Sequence, residues 1–174
     1  MDKSIYSWQT SEFNVPQTPA FLSEGTYIWV FNWHEIPHLG LSVQGKYFSI
    51  SIKRSRLNEE VEKIWRLTEI KSVPLFLVKI DHNSHQDNTI EQAFSKPIQE
   101  GETCLNPLKL LLTNQHENIQ TLSDLLYHLE ESNQIISYHA NQVLNQKQLT
   151  LCNYNKADVL EMISNKMHVY ETRK

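Results

Sequence analysis

His38-Leu39-Gly40-Leu41-Ser42-Val43-Gln44-Gly45-Lys46-Tyr47-Phe48-Ser49-Ile50-Ser51-Ile52-Lys53 is the stretch on which the reading of the fold turns. Apolar residues fall at 39, 41 and 43 and again at 48, 50 and 52, a period of two that lays each set along one face of a strand. Gln44-Gly45 between the runs supplies the two residues of a tight turn, so the stretch predicts a β-hairpin. Working upstream, Tyr27-Ile28-Trp29-Val30-Phe31 is aromatic and β-branched, follows Glu24-Gly25, and predicts a short buried strand. The first 24 residues, with Pro16 and Pro19, read as an irregular lead-in.

Downstream, Ser55 or Asn58 offers an N-cap to a helix carrying Leu57, Val61, Ile64, Trp65 and Leu67, ending near Lys71 to Pro74. Leu75 to Ile80 predicts a fourth strand, and Asp81 to Asn88 a polar loop. A helix containing Leu108, Leu111 and Leu112 follows Gln99-Glu100-Gly101. Thr121-Leu122-Ser123-Asp124 has the form of a capping box opening another, with Leu122, Leu125, Leu126 and Leu129 on one face. A short strand at Leu149 to Cys152 and a helix from about Lys156 to Met167, capped by Asn155, complete the reading. The expected class is α+β: an antiparallel sheet flanked by helices, with a core over residues 1–120 and an α-rich C-terminal extension over 121–174.

The chain has 174 residues, enough for one domain with a buried core. A hydrophobic fraction of 40% with four Gly and six Pro excludes wholesale disorder and collagen-like repeats. Sixteen Lys and Arg against twenty Asp and Glu leave a net charge of -4, so no global positive field invites nucleic acid. No apolar run approaches the roughly 20 residues of a membrane span. The N-terminus lacks the basic and apolar regions of a Sec signal, and Cys104 and Cys152 are too few for a disulfide framework. A cytoplasmic protein with reduced thiols is the expectation, with non-classical export the other route left open. Nothing in the sequence asks for a cofactor.

Trp33-His34-Glu35-Ile36-Pro37-His38 matches the H-E-x-x-H pattern of zinc hydrolases. That pattern needs a helix to bring two imidazoles to one metal, and Pro37 holds Ile36 extended. The zinc reading through His34, Glu35 and His38 is therefore an alternative. The main reading starts from order along the chain: His38 at the start of a strand, Gly40 two residues on, and, well downstream, Cys104 in Gly101-Glu102-Thr103-Cys104-Leu105-Asn106-Pro107-Leu108 at the opening of a helix.

This arrangement over residues 24–114 resembles the circularly permuted papain-like cysteine hydrolases, which include bacterial cell-wall amidases of the NlpC type and the lecithin retinol acyltransferase group. Gly25-Thr26-Tyr27 stands where those families carry Gly-Asp, without the acid. The resemblance implies Cys104 as nucleophile and His38 as general base in a thiol protease, amidase or esterase working through an acyl-enzyme. Its substrates would be a peptide, a peptidoglycan stem peptide or a lipid ester, and analogy extends to a toxin-like or cell-wall-directed effector. A thiol at a helix N-terminus beside an imidazole is expected to have a lowered pKa.

Two points stay open. The helix starts either at Thr103, keeping Cys104 in its first turn, or at Asn106-Pro107, an equally good cap pair. The residue orienting His38 is Ser49 or Ser51 on the second hairpin arm, with Asp81, His82 and Glu35 as alternatives. The rival from another class is a non-catalytic protein-binding or immunity-type module in which Cys104 is a core residue.

Overall fold

The computed structural model describes residues 7–82, 87–113, 117–141 and 148–171. His85 and His116, and positions 83–86 of the expected polar loop, lie outside them.

The hairpin is β4 (His38–Val43) and β5 (Lys46–Ile50), antiparallel, with Ser42 opposite Tyr47 and Gly40 opposite Ser49. Gln44 and Gly45 both have positive φ, 48° and 79°, the twist that lets a two-residue turn join right-twisted strands. β3 (Thr26–Phe31) pairs with β4 on one side and with β7 (Leu75–Ile80) on the other, both antiparallel. All six residues of β3 are buried, which is why its sequence runs continuously apolar instead of alternating.

Tyr27, Trp29, Phe31, Leu75 and Leu77 point to one face and meet Val61, Ile64 and Trp65 of α1 (Val61–Ile70). Ile28, Val30, Phe76 and Val78 point to the other and meet α2 (Asp87–Ala93), α3 (Leu105–Leu112), α4 (Leu122–Glu131) and α5 (Lys156–Glu171) in a larger core. The result is α+β in three layers: one helix, a mostly antiparallel sheet, then the remaining helices. One buried polar pair crosses the first face, Trp29 Nε1 donating to Ser42 Oγ at 2.8 Å.

Three expectations are corrected. Ser55–Glu60 is a strand, β6, not a first helical turn, and α1 begins only at Val61. The outer edge of β5 must be hydrogen-bonded, and β6 supplies its partner; Lys46–Glu60 and Arg56–Glu59 ion pairs hold that edge. The lead-in is partly regular: β1 (Ser7–Gln9) pairs with β9 (Gln148–Thr150), and β2 (Phe13–Asn14) joins the sheet edge.

The third correction concerns the extension. Ile135–Ala140 is a strand, β8, inserted between β2 and β7, so the sheet order is β2-β8-β7-β3-β4-β5-β6. Leu122, Leu125, Leu126 and Leu129 of α4 are fully buried in the same core as β3 and β7. The expected boundary after residue 120 thus cuts through one sheet and one core. The helix caps follow expectation: Thr121 and Asp124 form a capping box, and Asn155 Oδ1 accepts from the N–H groups of Ala157 and Asp158.

Candidate functional site

His38 opens β4, and its side chain shares a sheet face with Phe31, directly across the ladder, at a ring-centroid distance of 5.7 Å. Gly40, two residues on, faces the same way, and the phenol of Tyr47 fills the space above it: a Cβ there would lie 2.7 Å from Tyr47 Cζ. The small residue in the His-x-Gly pattern is therefore a packing requirement of the hairpin.

Cys104 is the N-cap of α3. Thr103 and Asn106 organise this end: Thr103 Oγ1 accepts from Leu105 N–H at 3.2 Å and donates to Asn106 Oδ1 at 3.1 Å, and Asn106 Oδ1 also accepts from Thr103 N–H. The helix starts at Leu105, between the two expected starts, with Cys104 in place of Thr103 or Asn106 as its cap, and Pro107 falls at its third position. The first N–H groups of a helix have no intrahelical partner, so this proline removes no hydrogen bond.

The thiol enters where the β4–β5 ladder stops. β5 pairs with β4 only from Gly40 onward, and Cys104 Sγ lies 4.0 Å from the carbonyl oxygen of Pro37 and faces the backbone N–H of Leu39. His38, Cys104 and Ser51 border one cavity of about 860 Å³, roofed by Val159, Met162 and Ile163 of α5. That size falls within the range of small-molecule sites.

Both residues border the cavity, His38 from the start of β4 with its ring packed on Phe31 and Cys104 from the start of α3, and no hydrogen bond joins thiol and imidazole. Burial pushes the Cys104 thiol up to about 11, against the downward pull of the Leu39 and Cys104 N–H groups and the Lys166 charge. Burial also lowers His38 to about 4, helped by Arg56 and Lys166. This corrects the expected lowering of the thiol. Both shifts favour the uncharged forms, a thiol on Cys104 and an imidazole on His38.

The candidate orienters are spread apart. Ser51 lines the cavity, but its hydroxyl donates to Arg54 O and accepts from Arg54 N–H in a local turn. Ser49 is buried opposite Gly40 and interacts with the Tyr47 hydroxyl. Glu35 lies 4.0 Å from His34 and turns outward, 73% exposed. Asp81 and His82 follow Ile80, which pairs with Thr26, at the end of β3 away from His38.

The zinc alternative lacks its helix, because 32–37 is a loop between β3 and β4. Among the described residues no three His, Cys, Asp or Glu side chains are grouped to hold a metal. Among the described residues no helix is long and apolar enough to cross a membrane.

Sequence reasoning missed the α5 wall and its cation, Lys166. The signal was present, since Val159, Met162, Ile163 and Lys166 follow i, i+3, i+4, i+7 spacing and so share one helical face. Tyr47 was also missed; its place over Gly40 depends on hairpin register. Comparison with known protein families, with curated proteins and with solved structures finds no match for this chain.

Proposed function

We propose that the protein is a cysteine hydrolase of the permuted papain-like kind, with Cys104 as nucleophile and His38 as general base. The observation that carries this reading is the shared cavity: a cysteine at a helix N-terminus and a histidine at a strand start, 66 positions apart in the chain, open onto the same ligand-sized space. As a substrate carbonyl is attacked, the Cys104 S–H proton passes to His38 and the S–C bond forms. The imidazolium then protonates the leaving alcohol or amine, giving a thioester. Water, deprotonated by His38, releases the acid and restores the thiol. Backbone N–H groups of Leu39 and Cys104, together with Lys166, supply positive potential at the sulfur as charge develops. Peptide, peptidoglycan stem peptide and lipid ester all remain within the substrate class.

The full chain incubated with p-nitrophenyl octanoate, quenched in acid and mapped by peptide mass spectrometry, tests this. An octanoyl thioester on Cys104, absent in Cys104→Ser and slowed in His38→Ala, is the expected result. Acylation confined to Cys152 or to lysines overturns it.

The neutral, unbonded state of the pair favours a second reading, a non-catalytic binding module whose ligand or protein partner occupies the same cavity and whose Cys104 is wall. Saturable binding that survives Cys104→Ser, with no acyl adduct, distinguishes it.

A further inference from the structure

The molecule is acidic overall, at -4, yet lysines outnumber carboxylates among the residues that border the cavity beside Cys104. Its charged lining residues are Lys53, Lys166 and Glu35, and Glu35 turns outward beside His34. Lys166 sits on the cavity face of α5, one turn beyond Met162, whose Sδ is its hydrogen-bonding contact at 3.6 Å. Among the described residues it has no carboxylate partner. Lys166 borders the cavity, and its charge reaches both His38 and Cys104. The rest of the wall is apolar: Ile36, Ile52, Ile98, Val159 and Ile163 come from four separate segments.

We infer that this cavity binds an amphiphilic anion, a ligand with an extended apolar body and one carboxylate or phosphate group, the anion held at Lys166 and the body laid along the isoleucine and α5 wall. The apolar wall alone accepts any greasy ligand; Lys166 at its rim selects the sign of the head group. The inference uses the same cavity as the hydrolase reading but no turnover there, so the two fail separately.

The test uses dodecanoate, dodecyl phosphate, dodecyl maltoside and dodecyltrimethylammonium, each below its micellar concentration, titrated into full-length protein carrying ¹³C-methyl methionine. Met162 is in the wall and is assigned by Met162→Leu. Dodecanoate and dodecyl phosphate are expected to shift the Met162 methyl saturably, about fivefold tighter than the maltoside, with decanoate about tenfold weaker than dodecanoate. Lys166→Glu should erase the preference for anions while leaving maltoside binding intact, which also shows that the variant is folded. Dodecanoate alone responding would assign the head-group site to carboxylates, and dodecyl phosphate alone to phosphates. Equal affinity for all four head groups, an anion preference unchanged in Lys166→Glu, or shifts confined to Met167 would overturn the inference. Octanoyl transfer to Cys104 without anion preference would leave the hydrolase standing and remove this proposal.

Discussion

Two histidines on the same sheet face make opposite arrangements of the same chemistry. His139 on β8 lies across from Leu77, and Ser137 Oγ is 3.0 Å from its Nε2. A hydroxyl and an imidazole are thus already hydrogen-bonded, but the Phe21 ring stacks on His139 at 4.9 Å and Tyr27 packs at its edge. His38 on β4 has no bonded nucleophile, yet it shares an open cavity with Cys104. One site has the bond, and the other borders a cavity. A nucleophile–base contact tightens readily when a substrate arrives, whereas Phe21 and Tyr27 cover the His139 ring, so the cavity favours Cys104 and His38.

Turnover separates the two sites most widely. Cys104→Ser and His38→Ala should each reduce p-nitrophenyl octanoate hydrolysis by about 10²-fold or more. Ser137→Ala and His139→Ala should stay within about twofold of the parent. Loss of activity in Ser137→Ala instead would invert the comparison.

The two imidazoles should also differ in how they couple stability to pH. His38, lowered to about 4, stays neutral in the folded chain while an unfolded histidine protonates near 6.5. As pH falls from 6.5 to 4 the unfolded state takes up the proton first, so stability drops; the contribution is present above 6.5 and lost below 4. Full loss corresponds to about 3 kcal/mol. Urea unfolding at pH 7 and pH 4 should show His38→Asn flattening this dependence. His139 is lowered by burial and by Lys79, so His139→Asn should act with the same sign.

Packing behind each ring gives a smaller effect. Gly40→Ala would push a methyl group into the Tyr47 phenol, which is fully buried, and should cost about 1–3 kcal/mol in urea unfolding with an unchanged m value. A neutral result would mean that the wall beside His38 is looser than that around His139. Ser137→Ala, which removes one hydrogen bond to a ring that keeps its stacking, should cost about 1 kcal/mol or less by the same measurement.

The hairpin was legible because its two alternating runs and its turn are each local, and β7 because a short apolar run bounded by Pro74 and Asp81 leaves little choice. β8 was not. Ile135–Ala140 mixes exposed, partly buried and buried positions, since Ile136 faces solvent while His139 packs beside Phe21, and no period of two emerges. Ser55–Glu60 carries helix-favouring glutamates and a plausible cap, and became a strand because β5 needed a partner. In the candidate site, Cys104 and His38 were chosen by type and order. The Cys104 thiol was expected to be lowered but burial raises it, because dipole and neighbour arguments are local whereas desolvation depends on how α3, α5 and β4 close around the sulfur.

Residue patterns within a few turns or strands of chain determined the hairpin, the helix caps at Thr121 and Asn155, the α+β class and the two residue types able to do thiol chemistry. Their physical basis is hydrogen bonding and burial between near neighbours, which periodicity records. Only the tertiary structure decided that residues near 36, 52, 98 and 163 border one cavity, that Lys166 borders it too, and that Phe21 stacks on His139 while His38 reaches the cavity's edge. Those outcomes are set by packing between segments up to more than a hundred residues apart, which leaves no periodic trace in the chain.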